Sequence, residues 1–518
     1  MRMKVSNYIS EMLVKAGIHQ AFMVTGGGAM HLDDALGHQE GLHCIYDHHE
    51  QACAIAAEAY ARIHNEMAAL CVTTGPGGTN AITGVLGAWL DSIPMLVLSG
   101  QVRYDTTARW SGTGIRAMGD QEFDICKAID CMTKYSEMVI DPLRIRYCLE
   151  KALYLAKSGR RGPSWLDIPL NVQGAYVETD ELIGFDPVDY ENGGNGWAEK
   201  KNVPAIPEDE AGEGEKRQVL PKKVTEEIAK AIIEKIRQAK RPVINAGNGI
   251  RLAGAHETFL KVAEKLGIPV VTGWDSEDCI WDEHPLYVGR GGNMGDRPGN
   301  FAIQNSDLVL SIGSRLSIRQ VGYNYPTWAR EAYVIYNDID AEELKKPTVH
   351  VDMPVHADVK DLLEKLELVL DEEEFDPNGG AKDKEAVDWW IRRCQEWKEK
   401  YPGDAVIFES SARLDIPKIQ QALSDDQVLL HYMQLTDQLI IVCISKNKVD
   451  SRIINISQKE LNDIIQKNFL VEYIEEYGHN NSPTPEEEQK YLNKSISTLS
   501  ELYTYLINPI LDIISDKN

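Results

Sequence analysis

Short apolar runs separated by helix-length stretches set the first constraint on this chain. Runs at 21–24, 43–46, 68–73 and 95–98 are too short for helices and too continuously apolar for half-exposed strands. Between them, stretches such as 5–16 and 50–63 carry apolar residues at helical spacing. Strands alternating with helices fold as a parallel sheet covered on both faces, because a parallel connection must cross over and a helix makes the crossover. Gly162-Pro163-Ser164-Trp165-Leu166-Asp167-Ile168-Pro169 reads as the last strand leaving this unit, which spans residues 1–175.

Residues 176–220 are rich in Gly, Pro, Asp and Glu and contain Asn192-Gly193-Gly194-Asn195-Gly196, so they read as a linker. A second alternating unit follows over 221–370, with strands at 242–246, 269–272, 308–312 and 333–336. An acidic connector covers 371–411, where Trp389, Trp390 and Trp397 sit at roughly helical spacing and are expected to pack a helix. From Asp404 onward there is one glycine, Gly478, and no tryptophan. Stretches at 428–434, 438–445 and 451–457 alternate like antiparallel strands, and long helices are expected at 459–477 and 485–515. The fold class is therefore α/β: two doubly wound parallel-sheet domains followed by a smaller α+β segment over 412–518.

Bulk properties remove several functions. With 80 acidic against 54 basic residues the net charge is −26, which leaves no basic stripe for nucleic acid. Runs such as Glu208-Asp209-Glu210 read as solvated linkers. The nine cysteines form no CxxC pair, which points to a reducing, cytoplasmic setting. The opening residues lack the apolar core of a signal peptide, and no apolar run reaches the length of a membrane span.

The candidate chemistry lies in Asp47-His48-His49-Glu50-Gln51-Ala52-Cys53-Ala54-Ile55-Ala56-Ala57 and in Thr73-Thr74-Gly75-Pro76-Gly77-Gly78-Thr79-Asn80. One acid, Glu50, heads an alanine-rich helix whose small residues admit a second surface or a flat heterocycle. Burial would raise its pKa, and a buried acid can trade a proton with a ring nitrogen. Taken alone, Glu50 is equally well an acid favouring a helix dipole. The glycine run is likewise readable as a plain helix-start turn.

These segments stand in order with Val24-Thr25-Gly26-Gly27-Gly28-Ala29, Ser99-Gly100-Gln101-Val102, Gly119-Asp120-Gln121-Glu122 and the 162–169 run. Together they resemble the pyrimidine-binding domain of thiamine-diphosphate enzymes of the acetolactate-synthase-like branch. The resemblance implies that Glu50 bonds N1′ of the cofactor's aminopyrimidine ring and favours the imino tautomer that deprotonates thiazolium C2. The resulting carbanion attacks a 2-keto acid, with pyruvate as the default donor. Gln121 would face the reacting centre. Thr25, Gly26, Gly27 and Gly28 would border the pyrimidine pocket, and Thr74, Gly75, Pro76 and Gly77 would shape the cofactor wall. Gly26 stands where many relatives carry proline. His48 and His49 are expected to orient the helix start. The resemblance also implies a homo-oligomer or partner subunit that covers the surface around Glu50.

Residues 221–370 resemble the central domain of the same family through Arg241-Pro242-Val243-Ile244-Asn245-Ala246-Gly247-Asn248-Gly249 and Leu310-Ser311-Ile312-Gly313-Ser314-Arg315-Leu316. Some relatives hold FAD there. Gly247-x-Gly249 completes no dinucleotide fingerprint, and Ser317-Ile318-Arg319 replaces the acids common after the Gly-x-Arg turn, so a structural role is expected rather than bound FAD.

The family's third domain carries a Gly-Asp-Gly motif whose Mg²⁺ neutralises the diphosphate. No Gly-Asp-Gly occurs in this sequence, and Gly403-Asp404-Ala405 is no substitute. No metal ligand is therefore assigned, and Mg²⁺ is expected only if another chain supplies its site. Instead, Ile416-Pro417-Lys418-Ile419, Val428-Leu429-Leu430-His431-Tyr432, Leu439-Ile440-Ile441-Val442 and Leu506-Ile507-Asn508-Pro509-Ile510 resemble the opening segment of a caspase-like CHAT domain. His431 and Cys443 are expected to be core residues. A fusion is one origin of such a join, and a shifted reading frame, an engineered chain or an assembly error gives the same sequence. The expected activity is thus 2-keto acid decarboxylation and carboligation by an incomplete enzyme. The alternative is a non-catalytic scaffold with a partner-docking tail, and a protease-type effector is a weaker third reading.

Overall fold

The computed structural model describes residues 1–197, 219–372, 383–401, 420, 428–434, 438–457, 459–461 and 504–510. Residues 1–410 form one compact unit and 411–518 another.

In the first unit the apolar runs become parallel strands. After β1 (Arg2–Lys4) come β2 (Gln20–Met23), β3 (His43–Tyr46), β4 (Ala68–Val72), β5 (Met95–Gln101), β6 (Tyr135–Met138), β7 (Pro163–Pro169) and β8 (Tyr176–Glu178). Six of them pair in the order β3-β2-β4-β5-β7-β6. Every residue of β4, β5 and β7 is buried, which explains the unbroken apolar run of β4 and the apolar start of β5. Helices Val5–Lys15 and Ile145–Lys157 cover one face and Glu50–His64 and Pro76–Leu90 the other, closing two apolar cores.

Two features go beyond the sequence reading. A strand that it did not name, β6, pairs at the sheet margin outside β7. The sequence of β6, Tyr-Ser-Glu-Met, hides a strand because its buried Glu137 is neutralised by Arg144 at 2.6 Å. Residues 176–197 are also not free linker. β8 pairs antiparallel with β1, and Val177, Leu182, Phe185 and Tyr190 join the first core. Phe185 meets Tyr147, Tyr154 and Tyr190, an aromatic cluster that outweighs the local glycine and acid content. The acidic part of that stretch, 198–218, lies outside the described residues.

The second sheet contains β9 (Pro242–Ala246), β10 (Val270–Thr272), β11 (Tyr287–Arg290), β12 (Leu308–Ile312), β13 (Tyr333–Asp338) and β14 (Met353–His356), in the order β11-β10-β9-β12-β13-β14. The helix Lys384–Lys400 lies on it. Trp390 is buried and donates from Nε1 to the Pro242 carbonyl at 3.1 Å, with Trp397 edge-on to it, while Trp389 is exposed.

In the other compact unit, β15 (Val428–Gln434), β16 (Leu439–Ser445) and β17 (Lys448–Ile454) form an antiparallel sheet, in which Cys443 pairs with Leu430 and is buried. The long helices expected after it fall mostly outside the described residues. Among the described residues, no helix is long and apolar enough to cross a membrane.

Candidate functional site

In an open parallel sheet, ligands bind beyond the carboxyl ends of the strands where the strand order reverses. In the first sheet that point lies between β2 and β4, which pair through Ala21–Ala69, Phe22–Leu70 and Met23–Cys71. The segments leaving these two strands are Val24–Gly28 and Thr73–Gly78. The sheet therefore brings two of the glycine-rich motifs side by side.

Thr73 is where they meet. Its Oγ1 accepts the Gly28 N–H at 3.1 Å. A Cβ on Gly26 would lie 2.5 Å from Thr73 Cβ, and one on Gly77 would lie 2.8 Å from Thr73 Cγ2. Thr74 is buried and donates to the Gly100 carbonyl at 3.2 Å, and a Cβ on Gly28 would lie 1.9 Å from its Oγ1. Only glycine allows these backbones to approach so closely. Gly75, at φ +56°, turns the chain into the Pro76–Leu90 helix with Pro76 in its first turn. A Cβ on Gly75 would lie 2.0 Å from the Gln121 carbonyl oxygen, so the Gln121 backbone rests on the same turn.

Glu50 opens the helix Glu50–His64. His49 caps that helix, its Nδ1 accepting the Gln51 N–H at 3.1 Å. Asn80 donates from Nδ2 to Glu50 Oε2 at 3.0 Å. Glu50 Oε1 lies 3.5 Å from the Cβ position of Gly77. Glu50 thus stands over the glycine turn, but one chain covers it only partly, so the burial expected for it is not provided by a single subunit. The Gln121 side chain is exposed. Thr25 and Gly27 are exposed at the rim, and a Cβ on Gly27 would meet nothing within 4 Å. The site therefore sets one carboxylate at the edge of a closely packed glycine turn, an acceptor suited to a ring nitrogen such as that of the expected aminopyrimidine. Among the described residues, no cluster of His, Cys, Asp or Glu could hold a metal ion.

Several supporting residues carry no assignment from sequence. Buried Asp167 accepts from Ser99 Oγ at 2.6 Å and Gln101 Nε2 at 3.0 Å, and burial pushes its carboxyl up to about 7. Gln101 also donates to the Phe123 carbonyl at 2.9 Å, which ties the Gln121 segment to the sheet. Glu122 accepts from the Ala108 and Met118 N–H groups at 2.6 and 2.8 Å, and Arg109 pairs with Asp124 at 2.9 Å. Asn80 ends the glycine motif, and its place in the helix's early turns is the one signal that sequence offered for it.

A second cleft, of about 630 Å³, lies where the strand order of the second sheet reverses between β9 and β12. Asn248, Ser314, Arg315 and Arg319 line it from the second sheet's side, and Arg160 and Arg161 from the first sheet's side. Asn248 Nδ2 is buried without a hydrogen-bond partner among the described residues. Arg160 pairs with Asp340 at 3.2 Å and Glu343 at 2.8 Å, and the Arg319 guanidinium lies over the Trp274 ring. Asp91, Asp275, Asp338 and Asp358 line the same cleft, so its charge is mixed, and the orphaned amide suits a hydrogen-bonding ligand with nothing specific to a flavin.

Comparison with known proteins matches residues 3–127 to "Thiamine pyrophosphate enzyme, N-terminal TPP binding domain" and residues 229–366 to "Thiamine pyrophosphate enzyme, central domain". The chain belongs to the thiamine pyrophosphate enzyme family. Among its relatives within that family, a probable acetolactate synthase large subunit of Methanococcus aeolicus is 32% identical over 393 residues, covering 73% of this chain and 57% of the relative. The acetolactate synthase large subunit of Lactococcus lactis is 32% identical over 397 residues, covering 77% and 60%. Isozyme 3 of Escherichia coli is 30% identical over 389 residues, covering 75% and 60%. The chain thus spans about 60% of the length of these thiamine pyrophosphate enzymes.

Proposed function

We propose that this protein takes part in thiamine-diphosphate-dependent decarboxylation of a 2-keto acid such as pyruvate, with transfer of the resulting two-carbon unit, as in acetolactate synthases. The observation that carries this reading is the convergence of the Glu50 carboxylate with the glycine turns of 26–28 and 75–77 around Thr73.

Thiamine diphosphate, when bound, supplies the carbanion chemistry that a protein side chain lacks. Glu50 holds and returns a proton at the pyrimidine nitrogen, with Asn80 fixing one of its oxygens. Gly26, Gly27, Gly28 and Thr25 border the ring, and Thr74, Gly75, Pro76 and Gly77 form the wall. Gln121 orients the reacting substrate from the facing loop. The diphosphate and its Mg²⁺ are held only where another chain supplies their site.

A partner subunit completes the cover over Glu50. What supports this is the outer face of the Glu50–His64 helix, where Ala52, Ile55, Ala59 and Ile63 form an exposed small and apolar stripe beginning beside the site. Leu86 on the neighbouring helix is also exposed. The second cleft keeps a structural role, with FAD or another nucleotide as the occupant to test against it.

The test is calorimetric titration of the full chain with thiamine diphosphate and Mg²⁺, alone and with a family diphosphate-binding domain added. Binding that is lost in Glu50→Ala supports the reading. Absence of binding in both settings, or binding indifferent to Glu50, overturns it in favour of a scaffold whose tail at 412–518 docks a partner. FAD added in the same experiment reads the second cleft.

A further inference from the structure

Glycine at position 26 leaves the backbone with an N–H that the proline of many relatives lacks. That N–H donates to Asp33 Oδ2 at 3.0 Å. Gly26 is extended, at φ −166°, far from the value near −65° that a proline ring imposes. The Cβ that any other residue would carry meets Thr73 at 2.5 Å. Position 26 therefore combines two requirements, a free N–H and no side chain, and the N–H has one specific partner.

Asp33 lies in the first turn of the helix Met30–Gly37. Its other oxygen, Oδ1, faces the Cys71 thiol at 3.9 Å, and Cys71 is the β4 residue paired with Met23 at the end of β2. The carboxylate thus ties the loop leaving β2 to the strand beside it. The titratable groups facing it are Cys44 and Tyr46 of β3 and Cys71 of β4. Burial raises all three, so they stay neutral and bring no charge to compensate Asp33. The same burial lifts the Asp33 carboxyl to about 6, against the pull of the Gly26 N–H and the Cys71 thiol.

We propose that Asp33 is a positioning residue whose ionised carboxylate anchors Gly26, and with it the loop bordering the cofactor recess, so that the loop loosens when this carboxyl takes up a proton. A charge-assisted hydrogen bond is about twice as strong as a neutral one, so protonation weakens the tether without removing the acceptor. Its consequence for the cofactor rests on the reading of the Glu50 recess given above, while the tether itself does not.

Hydrogen–deuterium exchange of the full chain separates the two. After correction for intrinsic rates, protection of the amides in 24–28 should fall roughly tenfold in the wild type between about pH 7.5 and about pH 5. In Asp33→Asn, whose side-chain oxygen still accepts but never ionises, protection should be the same at both values. In Asp33→Ala it should be low throughout. Cys71→Ala removes a thiol donor from the carboxylate and should move the wild-type midpoint upward. Protection of β5 amides reports that each variant is folded, and if the alanine variant is not, Asp33→Asn and Cys71→Ala decide. An Asp33→Asn profile with the wild-type pH dependence, or full loop protection in a folded Asp33→Ala, overturns the proposal. Loop exchange that behaves as expected in a protein that binds no thiamine diphosphate at any pH, alone or with the diphosphate-binding domain added, upholds the tether and sinks the cofactor reading instead.

Discussion

Asn80 donates from Nδ2 to Oε2 of Glu50 at 3.0 Å, which leaves Oε1 directed at the Gly77 turn. One oxygen is fixed by the neighbouring helix and the other is offered to the recess. If Glu50 is the proton-trading acid, Glu50→Gln should lower turnover of the assembled enzyme by about 10²–10⁴, the usual range for losing a general acid–base group. Asn80→Ala should cost less, roughly tenfold, because it frees the carboxylate without removing it. Steady-state rates with pyruvate in the presence of the diphosphate-binding half check both. Equal effects of the two substitutions would remove the distinction between acid and orienting residue.

The glycines of the recess should differ sharply in tolerance. Gly28→Ala places a methyl 1.9 Å from Thr74 Oγ1, and Gly75→Ala adds a positive φ to a contact of 2.0 Å with the Gln121 carbonyl. Each should cost about 1–3 kcal/mol in urea denaturation, with Gly75→Ala the worse because its obstacle is backbone. Gly27→Ala meets open space and should leave stability unchanged within about 0.5 kcal/mol. Gly27→Ala is then the useful variant for reading ligand contact, since any loss of affinity there is not a loss of fold.

Asp167 makes stability depend on pH in the direction opposite to a salt-bridged acid. Its folded value is near 7 against an ordinary 3.8, so between these limits the folded chain keeps a proton that the unfolded chain has released. The stabilisation is full below the lower limit and is lost as pH rises through the upper one, with a ceiling on the order of 4 kcal/mol. Asp167→Asn, which mimics the protonated form, should flatten the change in urea midpoint between about pH 5 and about pH 8. A variant with the wild-type slope would show that the dependence arises elsewhere.

The exposed stripe on the Glu50–His64 helix predicts self-association or pairing with a related subunit. Ile55→Asp and Ile63→Asp should shift sedimentation velocity toward the monomer while leaving the far-ultraviolet circular dichroism unchanged, since both side chains are about half exposed or more, at 49% and 69%. An unchanged sedimentation coefficient would remove this face as the contact.

Much of the fold was legible because most of the central strands are fully buried. β9 and β12 fall where the apolar runs put them, as does the more exposed β3, and β4 and β5 differ only at an end. What sequence hid was polar burial and long-range tethering. β6 carries Glu137, readable as a strand residue only once Arg144 is known to face it. Residues 182–190 sit in a Gly- and Asp-rich stretch, yet Phe185 finds its aromatic partners Tyr147 and Tyr154 far away in sequence. At the site, the glycine motifs and Glu50 stood out because their spacing is unusual. Thr73, Asn80 and Asp33 did not, because a threonine in a glycine turn, an asparagine in a helix's early turns and an aspartate on an exposed-looking helix each have ordinary explanations. Their roles come from which loops the sheet sets beside each other.

The antiparallel clasp between β1 and β8 has a practical consequence. Arg2, Met3 and Lys4 lie opposite Glu178, Val177 and Tyr176, so the strand that opens the first domain and the one that follows its sheet are neighbours. A module whose two ends leave from the same spot can be cut out, rejoined head to tail or spliced into a foreign chain with little disturbance to its interior. Because Leu182, Phe185 and Tyr190 also belong to this core, a permutant of this half of the molecule has to keep residues 179–197 with β8.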